Sequence, residues 1–371
     1  MNAPTVFVSA GEPSGDAHAA AFVAALRAAV PGVRVEGLGG PRMAEAGAAL
    51  MARIEDLTVM GFVEVVAKIP AHARLLKGMR ARFARGDVAL VVLVDYPGFH
   101  LHVAEAARRA GIPVLYYIAP QMWAWAEYRV RKLRERVTHL AVILPFEEAF
   151  FRGHGVPATF VGHPLLDRGE RPGRAAARRT LGLDPARPVL SIFPGSRAQE
   201  LHRIWPIFRE TAERVRSVRP DVQVVVAGMV AGAYPGAGGI QVATGRATEC
   251  MAAADAALCK SGTTTLEAAI AGTPSVIAYR VHPVSYLFAR MLTTIRWIGL
   301  VNLVADRLVV PEFIQGDARP AALARALLPL LDAGNPERER QLEGLREVRR
   351  RLGEPGASAR AALLARSLLP A

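Results

Sequence analysis

The segment Ala256-Ala257-Leu258-Cys259-Lys260-Ser261-Gly262-Thr263-Thr264-Thr265-Leu266-Glu267 reads as a buried strand that runs through a glycine turn into a helix. A short run without polar alternation suits a strand covered on both faces, and the hydroxyls behind it suit a helix start, where backbone N–H groups lack intrahelical partners. Such a start binds phosphate oxygens without a metal, and Glu267, one turn inside, can reach back to ribose hydroxyls. The plainer alternative is a capped helix with a solvated Glu267. No Walker A spacing occurs, which argues against ATP hydrolysis.

Outward from this unit the same alternation repeats. Upstream lie Val189 to Phe193, Gln223 to Ala227 and a run near Ile240 to Ala243; downstream lies Ser275 to Tyr279. The first half shows Val6 to Ser9, then Phe22, Val23, Leu26 and Val30 at helical spacing, then Val33 to Leu38, Val88 to Val94, Val114 to Ile118, Leu140 to Ile143 and Thr159 to Val161. Strand, helix, strand in this rhythm predicts an α/β fold of two Rossmann-like parallel sheets. Residues 1–167 form the first half, an Arg-, Gly- and Pro-rich junction covers 168–188, and 189–345 form the second half. A helical tail, 346–371, is expected to pack back on the first. Val230 to Gly239 reads as a flexible surface loop. Two such sheets predict a central cleft faced by the carboxyl ends of their strands.

A chain of 371 residues with 51% hydrophobic composition can bury a large core. Cys250 and Cys259 have no metal-ligand or disulfide spacing and read as structural thiols of a reducing compartment. The N-terminus resembles no signal or transit peptide, and no run reaches the roughly 18 apolar residues that span a bilayer. A cytoplasmic chain, with peripheral membrane contact left open, is the expectation. The net charge of +13 favours acidic partners such as anionic lipid, phosphorylated substrate or nucleic acid. Four lysines leave 42 of the 46 basic residues as arginine, so part of that charge reflects base composition. An RNA-binding protein would exploit the same charge, but no RNP-type aromatic motif appears, and nucleic acid is not expected as a partner.

Several strand ends carry candidate chemistry. Pro194-Gly195-Ser196-Arg197 with Glu200 follows the first strand of the second half: glycine admits a phosphate to the backbone, and arginine offers a fork for a diphosphate. An ordinary strand-to-helix turn is the alternative. In the first half, Gly11-Glu12-Pro13-Ser14-Gly15-Asp16 lacks the dinucleotide fingerprint, so Glu12, Ser14 and Asp16 either meet sugar hydroxyls or cap helices. Asp95 ends the apolar run Val88 to Val94, where a carboxylate either deprotonates an attacking hydroxyl or caps a turn. His163 either faces the cleft or braces the junction. Val59 to Met79 carries Met60, Phe62, Val65, Val66, Ile69, Leu75 and Leu76 with Lys68, Arg74, Lys77 and Arg80, a pattern that suits insertion into an anionic membrane, gripping of acyl chains, or a core helix pair.

Together these residues resemble the lipid-A-disaccharide synthase family, inverting glycosyltransferases of the two-Rossmann GT-B architecture. The likeness runs through Gly11 to Asp16, Gly40-Pro41-Arg42-Met43, Val59 to Val65, Asp95-Tyr96-Pro97-Gly98-Phe99 and Pro120-Gln121-Met122-Trp123-Ala124-Trp125. It continues through Leu144-Pro145-Phe146-Glu147, Gly162-His163-Pro164, Pro194 to Arg197, Ser261-Gly262-Thr263, Tyr279-Arg280 and Asn302-Leu303. It implies condensation of UDP-2,3-diacylglucosamine with 2,3-diacylglucosamine 1-phosphate at the inner face of the cytoplasmic membrane, releasing UDP. By the same likeness Asp95 is catalytic. Gly195, Ser196, Arg197, Glu200, Ser261, Gly262, Thr263 and Thr264 attend the donor, with Glu267 and Asn302 near its nucleoside. Glu12, Ser14, Gly15, Asp16 and His163 stand on the acceptor side. No metal or other cofactor is expected, and a homodimer is left open. His100 stands where many members have asparagine, which puts the role of that position in question. A UDP-sugar 2-epimerase on the same architecture is the rival enzyme reading.

Overall fold

The computed structural model describes residues 3–370 apart from 55–61, 126, 196, 197, 230, 231, 233, 282–285, 287–292 and 294, and leaves the side chains of 62–69, 125 and 198–200 undescribed. It divides into two compact units, residues 1–167 with 353–371, and residues 168–352.

The first unit contains β1 (Thr5–Ala10), α1 (Pro13–Ala29), β2 (Arg34–Gly39), α2 (Pro41–Glu45), β3 (Ala49–Arg53), α3 (Phe62–Phe83), β4 (Val88–Val94) and α4 (Pro97–Arg109). It continues with β5 (Val114–Tyr117), α5 (Met122–Trp125), α6 (Val130–Arg136), β6 (His139–Val142), α7 (Pro145–Gly153) and β7 (Ala158–Phe160). The sheet order is β3-β2-β1-β4-β5-β6-β7, every pair parallel. Helices cover both faces, which is why β1 is buried at every position and reads as an unbroken apolar run. One face holds Phe7, Val91, Leu93 and Tyr116 under α3 and α4; the other holds Val6, Val8, Val92 and Leu115 under α1. Strand β3 escaped the sequence reading because it is an edge strand with exposed and half-buried residues alternating.

The second unit contains α8 (Arg174–Thr180), β8 (Val189–Phe193), α9 (Ala198–Val218), β9 (Gln223–Gly228), β10 (Gln241–Thr244), α10 (Ala247–Ala253), β11 (Ala256–Lys260), α11 (Thr264–Ala271), β12 (Ser275–Tyr279) and β13 (Glu312–Ile314), followed by helices within residues 300–351. Its sheet, β10-β9-β8-β11-β12-β13, is again parallel throughout. In both sheets the strand order reverses beside the first strand, between β1 and β4 and between β8 and β11. Ligands of open α/β sheets bind outside the carboxyl ends at such a switch.

Two expected boundaries move. The 168–188 junction, whose middle forms the short helix α8, belongs to the second unit: Ala177, Leu181 and Leu183 pack with Val189 and Val225, while Arg174 and Arg178 clamp the Asp255 carboxylate at 2.8 and 2.6 Å. The second unit also runs past 345, because helix Pro336–Arg351 buries Leu345 and Val348. The chain rejoins the first unit from Gly353. There the helix Ala357–Ser367 lies on α1, its N-terminus capped by Asp167, which accepts from the N–H groups of Gly356, Ala357 and Ser358 at 2.7, 3.1 and 3.0 Å. Tyr234, expected in a flexible loop, packs edge-on against Trp205, 5.2 Å between ring centroids, and Trp205 donates to the Pro235 carbonyl.

In α3, Leu75 and Leu76 lean on the first core and Met79 is fully buried, so at the end of the Val59 to Met79 segment the core-helix alternative describes the packing. Met60 lies outside the described residues, as do the side chains of Phe62, Val65, Val66 and Ile69. Among the described residues no helix is long and apolar enough to cross a membrane. Both cysteines are free and buried, and burial pushes the Cys250 thiol up to about 12.

Candidate active site

The apolar run of β4 ends at Asp95, and there the backbone leaves its ordinary range. Asp95 and Tyr96 have φ of +52° and +54°, and Ile118, at the end of the neighbouring β5, has +61°. Left-handed backbone at a side-chain-bearing residue costs about 1–3 kcal/mol, and persists only where surrounding contacts enforce it. Those contacts converge on one atom: the Asp95 carbonyl oxygen accepts from His100 Nδ1 at 2.6 Å and from the Tyr116 hydroxyl at 2.7 Å. A carbonyl only accepts, so the proton of the His100 ring sits on Nδ1. Nε2 therefore accepts from the Ser9 hydroxyl at 2.9 Å. Burial pushes His100 down to about 4, against the pull of the Asp95 carbonyl, so the ring stays neutral at physiological pH. His100 thus has a definite part: it pins the strained turn that aims Asp95.

The Asp95 carboxyl is raised above the usual aspartate range, first by burial and then by the charge of Glu12, with the Tyr96 backbone pulling the other way. A raised pKa makes a stronger base. Glu12 is exposed at the head of α1 and makes no side-chain cap. The β1 and β4 ends therefore bring Glu12 and Asp95 within electrostatic reach of each other. Gly11 is needed between them, because a Cβ there would stand 2.2 Å from Cδ1 of the Tyr96 ring. That ring in turn receives α3, through His72 Nε2 at 2.9 Å from the Tyr96 hydroxyl.

Other acceptor-side residues divide. Ser14 is exposed on the first turn of α1, and Gly15 is buried beside Ala10 and the Val94 carbonyl. Asp16 is not available to a sugar: it is buried, and accepts from the N–H groups of Gly40, Arg42 and Met43 at 2.7, 3.1 and 3.1 Å. It caps α2, and Gly40 is glycine because a Cβ would fall 2.6 Å from the Asp16 carboxylate. His163 is likewise buried and caps the turn Pro164–Leu166, its Nδ1 accepting from Leu165 N at 3.2 Å. It braces the chain.

In the second unit the corresponding strand ends are Gly195, at φ +100° after β8, and Ser261-Gly262 after β11. Ser196 and Arg197 lie outside the described residues, as does the Glu200 side chain. Gly262 has φ +152° and nothing within 4 Å of where a Cβ would stand. A ligand can come close to this backbone. Thr263 heads α11 without a side-chain cap, Thr264 is half-buried, and Thr265 turns inward to donate to the Gly262 carbonyl at 2.8 Å. The Ser261 hydroxyl donates to the Ile298 carbonyl at 3.0 Å, tying the turn to the loop before helix Leu300–Ala305. Glu267 is half-buried and pairs with Arg168 at 2.6 Å.

Asn302 does not face a nucleoside. It is fully buried, and its amide is spent on Val310 O and Glu312 at 2.7 Å each and on the N–H groups of Val309 and Val310. A residue missed by sequence reading, like Tyr116 in the first unit, is Glu312, whose carboxylate also accepts from Ile298 N and Gly299 N at 2.9 Å. Glu312 and Asn302 form one bracket behind Ser261. Nothing in a three-residue strand announced it.

Residues 6–366 match the family model described as lipid-A-disaccharide synthetase. The chain belongs to this family. The lipid-A-disaccharide synthase of Myxococcus xanthus (strain DK1622) is 40% identical over 378 residues, covering 100% of this chain and 98% of that protein. The synthase of Anaeromyxobacter sp. (strain K) is 42% identical over 369 residues, covering 96% and 95%. Among solved structures, a calicheamicin glycosyltransferase superposes with TM-score 0.63 at 18% identity, covering 99% of this chain and 98% of its own. A UDP-GlcNAc 2-epimerase from Neisseria meningitidis superposes with TM-score 0.57 at 10% identity, covering 99% of each chain. These two show the fold, which transferases and epimerases share. Family membership makes this chain a glycosyltransferase of lipid A biosynthesis, with sugar-nucleotide and lipid-phosphate substrates.

Proposed function

We propose that the chain transfers the 2,3-diacylglucosaminyl group of its UDP donor to the primary hydroxyl of 2,3-diacylglucosamine 1-phosphate, giving the β-1,6-linked disaccharide 1-phosphate and UDP. Asp95 takes the hydroxyl proton as that oxygen attacks the anomeric carbon from the face opposite UDP. The bond to the diphosphate breaks, its electron pair leaves with UDP, and the centre inverts. Arg197 and the amides at the start of α11 hold the departing charge, with Gly195, Ser196, Ser261, Gly262, Thr263 and Thr264 around the diphosphate and Glu267 toward the ribose. No metal is called for by this donor set. The observation that carries the reading is Asp95: a half-buried carboxyl of raised pKa on an enforced turn, at the switch point of a chain of this family.

The decisive experiment incubates the pure protein with both substrates and a divalent-metal chelator and measures UDP. Release that needs both substrates is the expected result. No UDP from folded protein would overturn the reading, UDP from donor alone would favour an epimerase-like reaction, and a requirement for metal would remove the metal-free step. The charge of +13 supports work at an anionic membrane surface, the inner face of the cytoplasmic membrane. Binding to anionic vesicles that weakens with salt is expected; indifference to such vesicles at low salt would contradict it.

A further inference from the structure

We propose that a cationic cavity beside Asp95, between the start of α4, the turn before α5 and helix α6, seats the phosphomonoester of the acceptor. The assignment rests on the transfer reaction proposed above. The cavity holds about 280 Å³ and is lined by Gly98, His102, Pro120, Arg129, Lys132 and Arg136 among others, three of these side chains being cationic. That is near the lower bound of roughly 300 Å³ for small-molecule sites. That volume admits a sugar phosphate.

Charge and rigidity both favour an anion. Residues 127–136 carry five cations, Arg129, Arg131, Lys132, Arg134 and Arg136, against Glu127 and Glu135. Arg136 is held in place by the Leu101 carbonyl at 3.1 Å and by Glu105 at 3.1 Å, and Glu105 is already shared with Arg108 and Arg109. One carboxylate stands against three guanidinium groups there, so the surroundings remain positive. The lining residue Met122 opens α5, and the next residue, Trp123, anchors that helix from behind: it donates to the buried Glu147 carboxylate at 3.0 Å, and its ring meets Phe146 edge-on at 4.9 Å.

Position ties this cavity to the reaction. Pro97 and Gly98 line it two and three residues after Asp95, whose N–H bonds the Tyr117 carbonyl at the end of β5. On a glucosamine 1-phosphate ring, the anomeric carbon and the carbon bearing the primary hydroxymethyl group both flank the ring oxygen. A hydroxyl at Asp95 therefore puts the phosphate within about one ring's width. Arginine and lysine around a dianion supply charge-assisted hydrogen bonds. An anionic phospholipid headgroup presents similar chemistry, and the test separates the two sources.

Lys132→Gln and Arg129→Gln are assayed in detergent micelles at saturating donor, with the acceptor and with the same sugar lacking its anomeric phosphate. Binding to phosphatidylglycerol vesicles is measured in parallel. Each variant is expected to raise KM for the phosphorylated acceptor by roughly tenfold, with the loss on KM rather than kcat. Neither should change KM for the dephosphorylated sugar, which binds wild type weakly. Equal losses with both acceptors, no loss with either, or lost vesicle binding without lost discrimination would each overturn the assignment. If wild type releases no UDP from its substrates, the transfer reading itself fails; if wild type is active and the variants do not discriminate, only the phosphate seat fails.

Discussion

The carboxyl ends of β4 and β11 hold the same place in the two sheets, across the switch from the first strand, yet they are built from different materials. At β4 the chain spends side chains and strain: Asp95 and Tyr96 sit at left-handed φ, and Ser9, His100 and Tyr116 hold the turn from behind. At β11 it spends glycine and hydroxyls, with Gly262 open to approach and Ser261 anchored to the loop behind. Moving a proton needs a tuned carboxyl with a fixed direction, which burial and strain supply. Holding a diphosphate needs N–H groups and room, which an unbranched backbone supplies. In the proposed reaction the two halves share a fold and divide the work.

The division can be broken from either side. The largest effect is expected for Asp95→Asn, which keeps the shape of the turn and removes the base: turnover should fall between about a hundredfold and ten-thousandfold in a UDP-release assay. Near-normal turnover would remove Asp95 from the chemistry. Next comes Gly262→Val, which forces a branched side chain onto φ +152°. Donor affinity should weaken by roughly tenfold to a hundredfold, read as KM for the UDP-sugar. An unchanged KM would place the diphosphate elsewhere.

Smaller effects sharpen the contrast. His100→Ala removes one of two donors to the Asp95 carbonyl and should lower kcat by about tenfold without touching UDP affinity, with His100→Asn retaining more. The same residue has a pH signature. Its folded pKa, about 4, lies below the unfolded value of about 6.5, so the folded state binds fewer protons in that window. Stability is full above it and falls as pH drops from 6.5 toward 4, by roughly 3 kcal/mol, a loss absent from His100→Asn. Denaturant unfolding of both proteins at pH 7 and pH 4.5 measures the difference; parallel losses would contradict a buried neutral His100. Glu147 tilts the other way: burial raises it to about 7, and its contribution is lost as pH rises toward that value.

The smallest effect is expected for Glu12→Gln. Removing that charge lowers the Asp95 pKa, so the acid limb of the kcat profile moves to lower pH. A limb that stays in place would separate Glu12 from Asp95 electrically.

What the sequence disclosed follows the same line. Unbroken apolar runs such as Val88 to Val94 announce buried parallel strands, and glycine at a strand end announces an approachable backbone. Both are one-dimensional signals. Asp16, His163 and Asn302 carried functional-looking chemistry in family motifs and turned out to satisfy backbone groups, since a buried cap and a ligand contact use the same residue types. Only tertiary placement separates them. Glu312 and Tyr116 were silent because their partners lie 10 to 21 residues away.

The most direct measurement is a titration of UDP against wild type, Asp95→Asn and Gly262→Val by calorimetry. The account predicts that Asp95→Asn binds UDP as wild type does, while Gly262→Val binds it at least about tenfold more weakly. If Asp95→Asn loses UDP as severely as Gly262→Val, the separation of base and donor between the two strand ends is wrong.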